Sequence, residues 1–587
     1  MIHYQITPSD PKAHLFFVKM TLDSVKKGQT FWLPSWLPGS YMVRDFCRNI
    51  IGINCVDAHN QQIVMTQTDK QTWIIDQDAE RITLSYQVYA WDLSVRSAHL
   101  DSTHGFFNGS SVFLAAKGLE HSEHSVTINK PTDASLENWR LATAMTRTLG
   151  QHFEFGSFSA ESYDELIDHP VEMGDFTSHT FEANGIPHDI VLTGRHYCDL
   201  DRLSADLKKI CEYQLNLFNN DKIFDRYLFL TTVLGNGFGG LEHRASTALV
   251  CSRSDLPTVG MQDMTKGYQT YLSLCSHEYF HNWNVKRIKP KEFTPYQLKQ
   301  ESYTKQLWAY EGITSYYDDL ITYLSGTVTK DNYLKALSKT FTRVYRGSGR
   351  FKQTLRDSSF NAWTKFYKQD ENAANAIVSY YTKGAIFALY LDLTIRKETA
   401  NQHSINDVMQ ALWEDFGSKG IGTLENSHQQ IVEKLLERNC DDIFAYLDKT
   451  DDIPVEPLLK EFGVQFELRS NNGSSDTGGG KITGNTIDFG AKYKTADFGI
   501  SILAVLANSA AHKAGLSAGD KLIAIDNLQT TSDFEKQLQL FTVGQSIPLH
   551  WFRRDELMTG KLEIKAASLD TVSLHLADET LNKNWLN

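Results

Sequence analysis

The sequence lacks any uninterrupted apolar run of about 18 residues, the length that a membrane-spanning helix requires. It also lacks an excess of positive charge, because 58 lysines and arginines stand against 71 aspartates and glutamates, for a net charge of −13. Neither a nucleic-acid partner nor a membrane partner is therefore expected. The seven cysteines are scattered, odd in number and without the paired spacing of a metal site. They indicate buried or free thiols in a reducing compartment.

The first eight residues have neither a basic flank nor an apolar core, so no signal peptide is expected. This predicts a cytoplasmic location, with the periplasm as an alternative. The chain has 587 residues, of which 41% are hydrophobic. That length is too great for one hydrophobic core, and about three or four ordinary globular domains are expected.

The most informative segment is Ser-His-Glu-Tyr-Phe-His at residues 276–281. On a helix, positions four apart share one face, so His277 and His281 can reach the same zinc ion. Glu278 lies beside them and can take a proton from a zinc-activated water. The alternative is an exposed helix that carries two histidines by chance, but the residues upstream are apolar enough to be buried.

A catalytic zinc has three protein ligands and one position open to solvent, so a third ligand is expected on a neighbouring helix. Glu311 is the best candidate, in an apolar segment that favours a helix ending near Leu324. Asp318 lies two turns later on the same face and could accept a hydrogen bond from a ligand histidine. An ordinary solvent-facing acid is the alternative there. Glu301 is a rival third ligand, although nothing around it favours a helix.

These residues resemble the gluzincin metallopeptidases, in which His-Glu-x-x-His is paired with Trp-x-x-Glu-Gly. Two longer strings narrow the resemblance: His-Asn-Trp-Asn-Val-Lys-Arg at residues 281–287 and Pro-Ser-Trp-Leu-Pro-Gly-Ser-Tyr at residues 34–41. With both present, the chain most resembles the glycyl aminopeptidase family of gluzincins. One departure from aminopeptidase N is the longer gap between His281 and Glu311. Glu311 is therefore assigned by its Trp-x-x-Glu-Gly setting and not by spacing.

Gly-Gly-Leu-Glu-His at residues 239–243 is similar to the Gly-x-Met-Glu-Asn loop that holds the substrate's amino group in aminopeptidases. The resemblance implies that Glu242 is the anionic partner of that ammonium group and that Gly239 and Gly240 bind substrate. A fixed carboxylate near a cation in a dry cleft is strongly favourable. Leucine and histidine replace methionine and asparagine here, and a glycine-rich turn with an exposed acid is the alternative.

Ser-Tyr-Tyr-Thr-Lys-Gly-Ala at residues 379–385 is similar to the Tyr-x-Lys-Gly-Ala segment of the same enzymes. The resemblance implies that the Tyr381 hydroxyl stabilises the oxyanion of the tetrahedral intermediate. Taken alone, two tyrosines in an apolar helix are more often part of the core. Tyr380 is expected to be a structural neighbour.

Hydrophobic patterning predicts a multidomain α+β fold with three domains. Residues 1–175 alternate with a period of two, which favours an N-terminal β-sandwich. Residues 176–452 begin with strands and become mostly helical, and the resemblance makes them a thermolysin-like catalytic domain. Residues 453–587 resemble a C-terminal PDZ domain.

Within the PDZ-like domain, residues 498–500 are expected to form the loop that holds a terminal carboxylate. Ser501–Val505 is expected to be the edge strand to which a peptide ligand adds. A packing module with a closed groove is the alternative.

The sequence thus predicts an aminopeptidase with one Zn²⁺ ion held by His277, His281 and Glu311. Its substrates are peptides with a free amino terminus, and the resemblance alone implies a preference for terminal Gly and Ala. One alternative is an endopeptidase of the same fold, and another is a non-catalytic PDZ scaffold with a structural zinc. The scaffold is disfavoured because structural zinc sites are closed by a fourth ligand and usually include cysteine.

Overall fold

The computed structural model describes residues 2–473, 475–480 and 482–586. Met1, the first residue of the segment in which no signal peptide is expected, lies outside the described residues. The chain forms two compact units. One comprises the described residues up to Ser302 with Ser325–Thr327 and Trp413–Thr423. The other comprises Tyr303–Leu324, Val328–Leu412 and the described residues from Leu424 onward.

Three β-sheets form the first part of the first unit, as the period-two alternation predicts. In spatial order, the seven-stranded sheet contains Thr146–Leu149, Gly156–Ala160, His124–Ile128, Ile2–Asp10, Leu15–Val25, Ala79–Tyr89 and Ile50–Asp57. One four-stranded sheet contains Ala115–Ala116, Thr30–Trp32, Thr72–Ile75 and Met65–Asp69, and the other contains Arg140–Ala142, Val171–Gly174, His104–Phe107 and Ala98–Leu100. Buried and more exposed residues alternate along Ile2–Asp10, so one face of that strand packs into the core.

A mixed five-stranded sheet completes the first unit, in the order Thr177–Ala183, Ile186–Thr193, Tyr227–Leu234, Ser246–Ser252 and Phe238–Glu242. The three middle strands are parallel. Phe238–Glu242 is antiparallel to its one neighbour and forms an edge of the sheet. The α-helices of this unit are Tyr163–Leu166, Leu200–Leu217 and Lys266–Phe280.

The middle of the chain is helical from residue 308 onward. A π-helical turn, Trp308–Ile313, leads into helix Thr314–Leu324, and Gly326 follows with a φ of +75°. The further helices are Lys330–Tyr345, Leu355–Phe360, Ala373–Ala376, Thr382–Glu398, Ile405–Asp415, Ser427–Leu436, Asp441–Phe444 and Val455–Glu461. The predicted multidomain α+β fold class is confirmed, while the boundaries at 175/176 and 452/453 stay predictions.

The C-terminal region combines a sheet with short helices around its own apolar core. Its strands are Ala491–Thr495, Ile500–Val505, Lys521–Ile525, Leu528–Gln529, Ser546–Arg553 and Glu556–Glu563, and its helices are Ala510–Lys513 and Phe534–Leu538. A separate strand pair, Val464–Arg469 with Thr571–Leu576, flanks this sheet in sequence, and helix Glu579–Asn582 follows.

The predicted peptide-binding edge of this sheet is wrong. Strand Ile500–Val505 is internal, because it pairs with Ala491–Thr495 on one side and with Lys521–Ile525 on the other. Phe498 and Gly499 lie in the hairpin connection to that first neighbour instead of a carboxylate-binding loop. Ala491–Thr495 is the strand at this edge of the sheet. The alternation of apolar residues identifies a strand but not its neighbours.

All seven cysteines are free thiols, in agreement with the expectation from their spacing. Among the described residues, no helix has the length and apolar character needed to cross a membrane.

Candidate active site

The helix Lys266–Phe280, called here the His-pair helix, carries His277 near its end and His281 directly after it. The Thr265 side chain caps its start by accepting a hydrogen bond from the Tyr268 N–H at 3.1 Å. The two imidazole rings lie with their centroids 4.6 Å apart. The predicted helix is therefore present, and its last turn brings both histidines to one face.

Buried tyrosines attach the His-pair helix to the five-stranded sheet. The Tyr271 hydroxyl lies 2.8 Å from the Thr231 hydroxyl, and the Tyr279 hydroxyl lies 2.9 Å from His188 Nε2. Thr231 and His188 belong to adjacent strands of the sheet. Because an unpaired buried hydroxyl costs about 1–3 kcal/mol, these bonds favour one seating of the helix on the sheet.

The ring orientation of His281 is set by a backbone carbonyl. Its Nδ1 lies 2.7 Å from the Asn284 oxygen. A carbonyl can only accept, so Nδ1 carries the proton and donates it. The lone pair on Nε2 is then available to a metal ion.

Glu311 is buried in the π-helical turn Trp308–Ile313, a kind of turn that is frequent at functional sites. The next residue, Gly312, packs against Gly384, and a Cβ on Gly312 would lie 2.6 Å from the Gly384 Cα. The glycines of the Trp-x-x-Glu-Gly and Tyr-x-Lys-Gly-Ala strings therefore touch each other. Their contact lets the segment with Glu311 approach the segment with Tyr381.

Two groups of possible metal-ligand side chains occur in the described part of the chain, namely His277, His281 and Glu311, and Glu242, Glu278 and His281. The ligand atoms of Glu242, Glu278 and His281, which all belong to the first unit, lie within 4.8 Å of one another. Two imidazole nitrogens and one carboxylate oxygen form a donor set typical of catalytic zinc, so the residue types of the first group fit that metal. The second group places two carboxylates close together, which favours a cation beside them.

Glu242 ends the edge strand Phe238–Glu242 and is only 3% exposed. Its Oε1 accepts no hydrogen bond from any residue that the structure describes. Since a buried carboxylate without a partner is costly, this oxygen is suited to a cationic ligand. Gly240 has no room for a side chain, because a Cβ there would lie 2.0 Å from Glu278 Oε1. The strand therefore runs directly against the Glu278 carboxylate.

The Pro-Gly-Ser turn at residues 38–40 packs against the Glu242 carboxylate. Gly39 has a φ of +94°, and a Cβ on it would lie 2.5 and 2.6 Å from the two carboxylate oxygens. Both the backbone conformation and the close approach require glycine. The amino-terminal string at residues 34–41 thus contributes directly to the surroundings of Glu242.

Asp168 is a buried acid near the site that the sequence analysis did not identify. It accepts a hydrogen bond from Lys286 Nζ at 2.6 Å and from Arg244 Nε at 2.7 Å, and it lies 3.2 Å from His243 Nδ1. Burial would raise the pKa of Asp168, but Lys286, Arg244 and His243 hold it well below its ordinary value. Because His243 follows Glu242, and Lys286 follows the His-pair helix, this carboxylate ties the two segments together.

Tyr381 directly precedes helix Thr382–Glu398 and stacks on Tyr380 with ring centroids 4.7 Å apart. Burial raises the pKa of Tyr381 well above its ordinary value, and the Glu311 carboxylate raises it further. The hydroxyl is therefore protonated at neutral pH and can donate a hydrogen bond.

Two candidates from the sequence are less well defined. Asp318 accepts a hydrogen bond from the Asp319 N–H at 2.5 Å, and its contact with a ligand histidine stays a prediction. Glu301 lies outside any helix and belongs to neither ligand group among the residues searched.

Comparison with known proteins gives three family matches along the chain. The Peptidase M61 N-terminal domain matches residues 3–175, the M61 glycyl aminopeptidase matches residues 270–387, and the PDZ domain matches residues 466–550. A search of curated proteins gave no match.

The crystal structure of an aminopeptidase N family protein from Idiomarina loihiensis is 44% identical and covers 100% of both chains, with a TM-score of 0.98. An M1 zinc metallopeptidase variant from Deinococcus radiodurans, bound to a Tyr-Ser-Ala substrate, is 12% identical, covers 77% of this chain and 94% of its own, and has a TM-score of 0.48. Legionella pneumophila aminopeptidase A, in complex with aspartic acid, is 14% identical, covers 76% of this chain and 48% of its own, and has a TM-score of 0.46.

The match to the M61 glycyl aminopeptidase model and the likeness to the Idiomarina loihiensis protein define a metallo-aminopeptidase, a hydrolase of peptide bonds. The chain belongs to the M61 glycyl aminopeptidase family of gluzincin zinc metallopeptidases and carries a C-terminal PDZ domain. The family resemblance predicted from the sequence is confirmed.

The close approach of Gly39 to Glu242 predicts that a methyl group added at position 39 lowers activity. Gly39→Ala should displace the Glu242 carboxylate and lower kcat/KM for glycine 4-nitroanilide about tenfold or more, since misplaced binding groups cost that much or more. Gly28→Ala is the matched control, because Gly28 has a φ of +90° but nothing within 4 Å of its Cβ position. Thermal unfolding should show both variants folded, with Gly39→Ala the less stable of the two, and equal activity in the two would contradict the role given to Glu242.

The buried ion pairs of Asp168 predict that this residue contributes to the stability of the fold. Asp168→Asn should lower the free energy of unfolding by about 3–5 kcal/mol at pH 7, because Lys286 and Arg244 lose a buried counter-charge. Since the pKa of Asp168 is lowered by folding, its contribution is present above the ordinary carboxyl pKa and is lost as the pH falls below it.

Denaturant unfolding at pH 7 and under acidic conditions measures this difference. Asp164→Asn is the control, because Asp164 also pairs with Arg244 but is half-exposed and should contribute less than about 1 kcal/mol. Equal effects of the two substitutions would contradict the role given to Asp168.

Proposed function

We propose that the protein releases small amino-terminal residues, Gly and Ala, from peptides, with His277, His281 and Glu311 holding one zinc ion. The donor set of these three residues supports the proposal, because it is the chemistry of a catalytic site and not of a closed structural one. When bound, the zinc would supply a Lewis acid that polarises a carbonyl and lowers the pKa of water.

The observation that carries the proposal is the buried carboxylate of Glu242. One of its oxygens accepts no hydrogen bond from the described residues, and it lies in the same group of ligand atoms as Glu278 and His281. A substrate ammonium group would give that oxygen a charge-assisted partner. An anchor for a free amino group beside the catalytic carboxylate favours removal of the terminal residue over internal cleavage.

Glu278 is proposed as the general base. Its carboxylate takes a proton from the attacking water and delivers it to the nitrogen of the leaving amine. The protonated hydroxyl of Tyr381 donates a hydrogen bond to the oxyanion. The match to the M61 glycyl aminopeptidase model supports the proposed preference for small terminal residues.

A peptide ligand at the PDZ domain is part of the same proposal. Ala491–Thr495 is the edge strand there, so we assign the peptide to that strand and not to Ile500–Val505.

Glu278→Gln tests the proposed base. The amide keeps the shape of the side chain but cannot take the proton, so kcat for glycine 4-nitroanilide should fall by about 10²–10⁴-fold while zinc content stays at the wild-type level. Elemental analysis and initial rates measure the two quantities. Glu301→Gln, the control, should retain both zinc and activity. A Glu278→Gln enzyme with most of its activity would refute the assignment.

Glu242→Gln tests the amine anchor. The loss of a buried charge partner should lower kcat/KM for glycine 4-nitroanilide by about 100-fold, with little further loss on the slow hydrolysis of the N-acetylated substrate. Glu212→Gln, at a partly exposed position of helix Leu200–Leu217, is the control and should match the wild type. Equal losses on both substrates, or fast wild-type cleavage of blocked peptides, would instead favour the endopeptidase.

A further inference from the structure

Arg96 lies beside the edge strand that carries Glu242. Its Nη2 donates a hydrogen bond to the Gly240 carbonyl at 3.0 Å, and its Nη1 lies 3.7 Å from the position of a Cβ on Gly239. The strand Phe238–Glu242 pairs with a neighbour on one side only. The guanidinium group therefore binds a carbonyl within this strand, two residues before the proposed amine anchor Glu242.

The loop that presents Arg96 is held in place by several hydrogen bonds. The buried Asn108 side chain donates to the Val95 carbonyl at 2.8 Å, and the Arg96 N–H donates to Ser94 Oγ at 3.3 Å. The Ser94 N–H in turn donates to Asp92 Oδ1 at 3.0 Å. The half-buried arginine is thus pre-organised at its base, which reduces the entropy lost when its head group binds a ligand.

Arg96 has no carboxylate partner within the residues that the structure describes, although acids outnumber bases in the chain by 71 to 58. Its Nε also makes no hydrogen bond there. By contrast, Arg244 and Lys286 both pair with the buried Asp168. A guanidinium group is well matched to a carboxylate, since it can donate two parallel hydrogen bonds.

We propose that Arg96 binds the terminal carboxylate of dipeptide substrates, so that the site prefers dipeptides to longer peptides. Extended residues rise about 3.4 Å each, which places Gly240 about 7 Å along the strand from Glu242. The amino and carboxylate groups of an extended dipeptide are separated by a similar distance of about 7 Å. Glu242 and Arg96 therefore offer opposite charges at a spacing that fits a dipeptide zwitterion.

The inference depends on the proposed function, because it takes Glu242 as the amine anchor. It adds a second determinant of substrate choice, at the opposite end of the peptide. A longer peptide places a neutral backbone amide at the position where Arg96 would bind the carboxylate of a dipeptide. A carboxyl-terminal amide removes the negative charge of a dipeptide without changing its length.

The experiment compares kcat/KM for glycyl-alanine and glycyl-alaninamide, with alanine or alaninamide release followed by chromatography. The wild type should prefer the free acid by about 10- to 100-fold, the range expected for one charged hydrogen-bonded pair. Arg96→Met should bring this ratio close to one, and Arg96→Lys should retain part of the preference. The ratio is independent of how much of each variant is folded, because both substrates report on the same active molecules.

Arg81→Met is the matched control, since Arg81 pairs with Asp23 on an exposed part of the N-terminal sheet and should keep the wild-type ratio. Glycine 4-nitroanilide separates the two ways in which the inference can fail. If the wild type cleaves the anilide but the ratio is the same in the wild type and Arg96→Met, the role of Arg96 is refuted and the proposed function stands. If the metal-loaded wild type cleaves none of the three substrates, both are refuted.

Discussion

The packing of the His-pair helix against the five-stranded sheet determines where two imidazoles and a carboxylate can lie. Tyr271 and Tyr279 bury their rings between helix and sheet and keep partners for their hydroxyls, so a different seating of the helix would leave polar groups unpaired. The last turn of the helix then presents His277 and His281 on one face. The placement of these side chains is thus a consequence of how a largely buried helix satisfies its polar atoms.

Glycines bring the other parts of the site into place. Gly240 leaves room for the Glu278 carboxylate, Gly39 approaches the Glu242 carboxylate, and Gly312 contacts Gly384. In each case a single Cβ would overlap a group that the proposed mechanism or its supporting helices require. These contacts give a physical reason why short strings from distant parts of the chain occur together in one sequence.

The sequence alone is sufficient to predict those features of the structure that have a local periodicity. The histidines four residues apart predicted a helix face, and alternating apolar residues predicted the strands of the N-terminal sheets. Asp168 could not be predicted in this way, because its partner Lys286 lies 118 positions away and no local pattern marks either residue. The prediction that Ser501–Val505 is the peptide-binding edge strand of the PDZ domain is wrong for a related reason. Alternation of apolar residues identifies a strand but not its neighbours in a sheet. Glu311 was assigned through its motif, and its spacing alone would not have identified it.

The most direct test of the account is an anomalous-difference map, measured at the zinc absorption edge on crystals of the metal-loaded protein. The account predicts one strong peak, about 2.0–2.2 Å from a nitrogen of His277, a nitrogen of His281 and a carboxylate oxygen of Glu311, without a fourth protein ligand. A peak held instead by Glu242 and Glu278, or one closed by four protein side chains, would contradict it.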